Sequence, residues 1–136
     1  MASRIRTHVF ISPVSAFSNL LSAVEGPLWQ PRVDVYEMED AFLVQIEAPG
    51  MNIDDLELHF EPGRLIVEGV RVRPPLPSQA RAALVEMNHG PFRRVVPIPT
   101  GAQEDAIKAN YENGILSVLV PRKPKTAPRR VPIENV

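Results

Sequence analysis

Residues 107–121 read IKANYENGILSVLVP, and this stretch contains the pattern that decides the fold. Its first half alternates apolar with polar residues, the period-two pattern of a strand with one buried face, at Ile107, Ala109 and Tyr111. Asn113-Gly114 then marks a turn. The run that follows is apolar on nearly both faces. We therefore expect a central strand that is covered on both sides.

The same alternation extends upstream over residues 31–121. Short runs of this type are RVDVYE, AFLVQIE, LELHF, RLIVEG and FRRVVPIP. Turn signals separate them, at Glu39-Asp40, Pro49-Gly50, Pro62-Gly63 and Pro99-Thr100-Gly101. Several short strands at such spacing predict an all-β, immunoglobulin-like antiparallel β-sandwich.

A long connection interrupts this pattern between Gly69 and Phe92. It reads VRVRPPLPSQARAALVEMNHGP, and its second half contains a short strand candidate, AALVE. A connection of this length inside a compact domain is usually functional or disordered. We expect the AALVE segment to be well placed for pairing outside its own sheet.

Residues 1–30 form an N-terminal arm. Ser12-Pro13 resembles a helix start, and apolar residues then recur at helical spacing, at Val14, Phe17, Leu20, Leu21 and Val24. A helix of about three turns is marginal alone in water. Two interpretations stay open, a helix packed on its own domain and a mobile apolar arm that meets other chains.

Residues 122–136 form an extended C-terminal segment. It opens with a basic stretch that prolines keep extended, and it ends in the apolar pair Val131 and Ile133 around Pro132. Side chains two residues apart in an extended segment point the same way, so the pair forms a two-pronged clip. The spacer from Arg122 to Arg130 spans up to about 28 Å. This reach favours docking on a neighbouring molecule, and the alternative is a frayed terminus.

Composition argues against several classes of protein: nucleic-acid-binding, membrane-spanning and secreted proteins. The chain has 136 residues, a net charge of −1 and no cysteine, which suits one domain without disulfides and disfavours nucleic acid as a partner. Charges or prolines interrupt every apolar run far short of a membrane span of about 20 residues. The apolar run near the N-terminus is only Val9-Phe10-Ile11, too short for a signal peptide. We therefore expect a cytoplasmic protein.

Motifs for catalysis or cofactor binding are missing. His8, His59 and His89 lie in different segments without metal-ligand spacing, and no phosphate-binding loop or nucleophile elbow is present. The remaining enzymatic possibility is a pair of acids that converge in space. We expect a protein that is not an enzyme and needs no cofactor or metal.

The order of several motifs resembles the α-crystallin domain of small heat-shock proteins. The similarity runs from about Trp29 to Lys123. It rests on Ala48-Pro49-Gly50, on Phe92-x-Arg94 with Ile98-Pro99, and on Ala109 followed by Gly114-Ile115-Leu116 and the VPRK ending. The terminal Val131-Pro132-Ile133 is similar to the [IV]-x-[IV] tail motif of that family.

The resemblance implies a homodimer that assembles into higher oligomers. In the bacterial and plant type, the loop strand would pair with the partner subunit's first domain strand. This pairing assigns a dimer contact to Ala83, Leu84, Val85, Glu86, Arg94, Val33 and Val35. The clip, Val131, Pro132 and Ile133, would dock on another dimer in a groove formed by Leu56, Leu58, Ile107 and Ala109.

The function implied is an ATP-independent holdase chaperone that binds partly unfolded client proteins and suppresses their aggregation. Client binding is expected in the apolar arm, at Phe10, Ile11, Phe17, Leu20 and Leu21. One alternative is a non-enzymatic, co-chaperone-like module that binds one folded partner. A protein that merely assembles is another, and an enzyme with a site built from scattered acids and histidines is the third.

Overall fold

The computed structural model describes the backbone of residues 9–10 and all of residues 28–124 and 127–136. It contains eight strands in two four-stranded sheets. In chain order they are β1 (Val9–Phe10), β2 (Val33–Glu37), β3 (Ala41–Glu47), β4 (Leu56–Glu61), β5 (Arg64–Arg71), β6 (Gly90–Pro97), β7 (Lys108–Glu112) and β8 (Ile115–Pro121). Short 3₁₀ turns cover Ile53–Asp55 and Glu104–Ala106. The helix predicted from Ser12 lies outside the described residues.

The expected all-β antiparallel architecture is confirmed. The first sheet has the order β1-β4-β5-β6 and the second has the order β2-β3-β8-β7. Every pairing between these strands is antiparallel except that of β1 with β4. Alternate side chains of both sheets fill the space between them. The largest fully buried side chains of this core are Phe42, Phe92, Ile46, Leu65, Val44, Val67, Val118 and Val120.

The run 115–121 was predicted to be a central strand that is buried on both faces. The central position is right, and the burial on both faces is wrong. β8 is central, between β3 and β7, but burial alternates along it, with Val118 buried and Leu119 36% exposed. In a two-layer sandwich only the inner face of a sheet packs on the other sheet, so an apolar residue on the outer face, such as Leu119, can be exposed to solvent. The strand buried on both faces is β5, where Leu65 through Gly69 are all buried.

The turn between β7 and β8 explains two of the sequence motifs together. Asn113 and Gly114 both have positive φ, 52° and 80°, as a two-residue type I′ hairpin turn requires. The Ala48 N–H donates to the Gly114 carbonyl at 2.8 Å, and the Tyr111 hydroxyl donates to the Ala48 carbonyl. The hairpin tip is thereby joined to the end of β3.

An aromatic contact connects the segment before β2 to the first sheet. The rings of Trp29 and Phe92 lie 4.8 Å apart between centroids, and Trp29 Nε1 donates to the Gly90 carbonyl at 3.1 Å. The guanidinium of Arg71 lies over the Trp29 ring at 4.4 Å. Trp29 therefore belongs to the packed domain.

Candidate interaction surfaces

The first candidate surface lies where the β2 and β6 edges meet. A cavity of about 320 Å³ opens between them, lined by Val33, Val35, Glu37, Phe42, Arg94, Val96, Pro97 and Pro99. It brings together three residues of the predicted dimer contact, Val33, Val35 and Arg94. β2 and β6 are the edge strands of their sheets among the described residues, and on the outer side of β6 Phe92 forms a bridge with Trp29.

Arg94 lies on the same face of β6 as Phe92 and Val96. It is the register partner of buried Val67 and lies two residues from buried Phe92 and two from buried Val96. Arg94 is therefore on the inner face of the first sheet. Its Nη1 donates to Gln30 Oε1 at 3.3 Å, a neutral acceptor. Within the part of the chain that the structure describes, no carboxylate forms a salt bridge with Arg94. A cation at the rim of an apolar cavity favours a polar or anionic group from a second chain.

The remaining dimer-contact residues lie in the long connection between β5 and β6. Residues 72–88 are all exposed, and residues 82–86 form no strand with either sheet of their own chain. Leu84 is 79% exposed and Val85 is 55% exposed. The strand candidate therefore exposes β-branched and aliphatic side chains to solvent, and its backbone pairs with no strand of the two described sheets.

The second candidate surface lies on the opposite side, at β4 and β7. Leu58 and Ile107 are buried in the core, and Leu56 and Ala109 pack against it while partly exposed. All four predicted groove residues thus border one apolar region. β7 is the edge of its sheet, whereas β4 pairs in parallel with β1, through Val9 with Leu58 and Phe10 with His59.

The pairing of β1 with β4 was not predicted from the sequence, although a signal for it exists. Val9-Phe10-Ile11 repeats the spacing of Val131-Pro132-Ile133, two β-branched residues separated by one residue. The client-binding arm was predicted to include Phe10, which lies in β1. Its other members, Ile11, Phe17, Leu20 and Leu21, lie outside the described residues.

The C-terminal clip extends away from the domain. Arg122 and Lys123 still belong to the domain, because the Arg122 N–H donates to the Asp40 carbonyl at 2.8 Å and the Lys123 N–H donates to the Gly101 carbonyl at 2.6 Å. Beyond them, residues 127–136 are exposed. Val131 is 73% exposed and Ile133 is 96% exposed. In this chain the clip residues do not pack on their own core.

No helix among the described residues is long and apolar enough to span a membrane.

Comparison with known proteins agrees with this architecture. Residues 34–134 match the sequence model of the Hsp20/alpha crystallin family. The chain is 31% identical over 124 residues to heat shock protein 16 of Schizosaccharomyces pombe, which covers 90% of this chain and 86% of that protein. It is 28% identical over 133 residues to the 16.9 kDa class I heat shock protein 1 of Triticum aestivum, covering 93% and 88%.

A solved structure is similar over most of the chain. The small heat-shock protein of Xylella fastidiosa, whose crystal structure reveals a distinct high order structure, superposes with a TM-score of 0.66 at 30% sequence identity. The match covers 80% of this chain and 100% of that one.

Proposed function

Because the chain belongs to the Hsp20/alpha crystallin family, we propose that it is an ATP-independent holdase chaperone, which binds partly unfolded proteins and suppresses their aggregation. The observation that carries the proposal is the exposure of apolar segments outside a complete sandwich. These segments are the connection around Leu84 and Val85 and the clip at Val131 and Ile133. Contiguous exposed apolar surface marks a site of protein association.

Dimers form through the first surface in this proposal. The segment 83–86 of one subunit adds a strand to the free edge of β2 in its partner, which is β-augmentation. The cavity beside Val33 and Val35 then accepts an apolar side chain of the added strand. Arg94 at the rim of that cavity donates to an acceptor of the partner subunit. The exposure of Leu84 and the open β2 edge both support this arrangement.

Clips join the dimers into larger, dynamic oligomers. Val131 and Ile133 dock against Leu56, Leu58, Ile107 and Ala109 of another dimer, and Pro132 restricts the clip to an edge position because it lacks an N–H. Stress shifts the population toward smaller species, in which these apolar surfaces are uncovered. Uncovered surfaces and the arm then bind clients that are themselves exposing apolar side chains.

Holding a client in this way involves no chemical step on the client. The proposed activity is therefore non-enzymatic and independent of nucleotide. The cytoplasmic location expected from the sequence stays a prediction.

The test is suppression of aggregation without ATP. An aggregation-prone enzyme is heated with and without an equal concentration of subunits, and light scattering is followed. We expect scattering to fall strongly, and to be restored when the protein is replaced by an inert globular protein at the same mass. Unchanged scattering would contradict the holdase proposal and favour a module that binds one folded partner.

A further inference from the structure

The outer face of the first sheet holds a buried cluster of ionisable side chains that the proposed function does not use. Glu57 of β4 is the register partner of Glu68 of β5, and Glu68 is the register partner of Arg93 of β6. Two carboxylates directly opposite each other on neighbouring strands repel. Glu68 is only 4% exposed, so this repulsion is poorly screened by water. The pair requires positive charge nearby.

His59 lies beside this pair, two residues from Glu57 and on the same face of β4. Its Nε2 forms a hydrogen bond with Glu57 Oε2 at 3.2 Å and lies 3.9 Å from Glu68 Oε2. The three atoms that these residues offer as ligands all lie within 4.8 Å of one another. The side chain of His59 is 9% exposed and that of Glu68 is 5% exposed.

Arg93 satisfies only part of the buried carboxylate. Its Nε donates to Glu68 Oε1 at 3.1 Å. Glu68 Oε2, the oxygen that lies toward His59, has no hydrogen-bond partner among the described residues. A buried carboxylate oxygen without a donor is rare in folded proteins, and an ion is one of the groups that satisfy such an atom.

We propose that Glu57, His59 and Glu68 form a binding site for a divalent transition-metal ion, with Zn²⁺ as the best match. Zn²⁺ accepts imidazole nitrogen and carboxylate oxygen as ligands, and a site with three protein ligands keeps a water in the fourth position. Tetrahedral Zn²⁺ with bonds of about 2.0–2.2 Å places its ligand atoms roughly 3.3–3.6 Å apart. The 3.2 and 3.9 Å separations lie close to this range, and side-chain rotations would bring all three ligand atoms, which now lie within 4.8 Å of one another, to it.

The environment also favours this ion over harder cations. Imidazole is a preferred ligand of zinc, copper, iron and nickel, whereas Mg²⁺ and Ca²⁺ prefer oxygen atoms alone. Glu57 is the most exposed ligand, with 21% of its side chain accessible, and it provides the entry path from solvent. The bound ion would join β4 to β5 on the face opposite Leu56 and Leu58, and would therefore stabilise the strand that carries the predicted groove.

The experiment measures zinc binding to the full chain after removal of metal with a chelator. Zinc sulfate is titrated by calorimetry and against a zinc-sensitive dye, and thermal unfolding is followed at each zinc concentration. We expect one zinc ion per chain, a saturable rise in Tm and no binding of Mg²⁺. Binding should weaken as the pH is lowered, because protons compete for the ligand atoms.

Conservative variants assign the ligands. Glu68→Gln and His59→Gln keep the shape of the side chain approximately and remove a ligand atom or its charge. Loss of an outer-shell partner alone costs a metal site about tenfold or more in affinity, so we expect at least that loss in each variant. His89→Gln, in the connection outside the cluster, should bind zinc like the natural chain and serves as the matched control.

Two results would overturn the proposal. The first is a Tm of the natural chain that does not respond to zinc. The second is wild-type zinc affinity in folded Glu68→Gln and His59→Gln, with folding checked by circular dichroism. Neither result would bear on the holdase proposal, because that proposal assigns no role to Glu57, His59 or Glu68.

Discussion

At the scale of single residues, Gly69 shows a constraint that the strand pattern hides. A Cβ at this position would lie 2.5 Å from the Asp55 carbonyl oxygen and 2.7 Å from the Phe92 ring. Phe92 is fully buried and its ring contacts Trp29, so it has little room to move. The 3₁₀ turn before β4 can approach β5 closely only because residue 69 has no side chain.

The change Gly69→Ala should therefore destabilise the domain by about 1–3 kcal/mol, the usual cost of overpacking a core. The free energy of unfolding is measured by urea titration. Ser78→Ala, in the exposed connection, is the control and should stay within about 0.5 kcal/mol of the natural chain. A Gly69→Ala protein as stable as that control would show that the turn at Asp55 moves away without cost.

At the scale of elements, two terminal segments share one target. β1 pairs with β4 through Val9 and Leu58, and the C-terminal clip is proposed to dock at Leu56 and Leu58. Both segments contain valine, one intervening residue and isoleucine. Extended peptides bind exposed strand edges through backbone hydrogen bonds and alternate side chains. The two segments are therefore expected to compete for β4.

Removing residues 1–11 should strengthen binding of a labelled peptide that contains residues 127–136. If β1 covers the edge of β4 for half of the time, the peptide binds the full chain about twofold more weakly than it binds an uncovered edge. Removing β1 should then raise the affinity for the peptide at least about twofold. Fluorescence anisotropy gives both affinities. A peptide with Val131→Asp and Ile133→Asp is the control for non-specific binding. Equal affinities for the two proteins would exclude competition.

At the scale of the whole molecule, the second sheet ends in the edge strands β2 and β7, and exposed apolar segments of the chain extend away from the sandwich. The β2 edge lies beside the cavity that contains Arg94, and the connection with Leu84 extends into solvent. The clip at Val131 and Ile133 does the same at the carboxyl end. We propose that these segments bind edges of other copies of the chain. This arrangement favours assembly between copies.

Removal of each segment should have a distinct effect on particle mass, measured by light scattering coupled to size-exclusion chromatography. Val131→Ala with Ile133→Ala should reduce the oligomer to dimers, because the clip joins dimers. Leu84→Asp should dissociate the dimer itself, because it places a charge against the β2 edge. Val136→Ala, exposed and outside the motif, should leave the mass unchanged. An unchanged mass in the clip variant would remove the clip from assembly.

The sequence by itself determined the class of fold and the positions of its turns. Strand alternation is a local property, since side chains two residues apart share a face whatever the strand pairs with. Asn113-Gly114 likewise specifies a tight hairpin through its own backbone preferences. The exposed clip at Val131 and Ile133 was also predictable, because the prolines and charges around it prevent it from joining the core.

The tertiary structure decided which strands become neighbours and what lies across from each residue. It made β5, and not β8, the strand that is buried on both faces. It also brought Val33 and Val35 beside Arg94 and placed Glu57 opposite Glu68. These relations depend on sheet order and register between residues far apart in the chain, and a shift of one residue would reverse the faces. Periodicity specifies the face of a strand, whereas only packing of the two sheets specifies its partner.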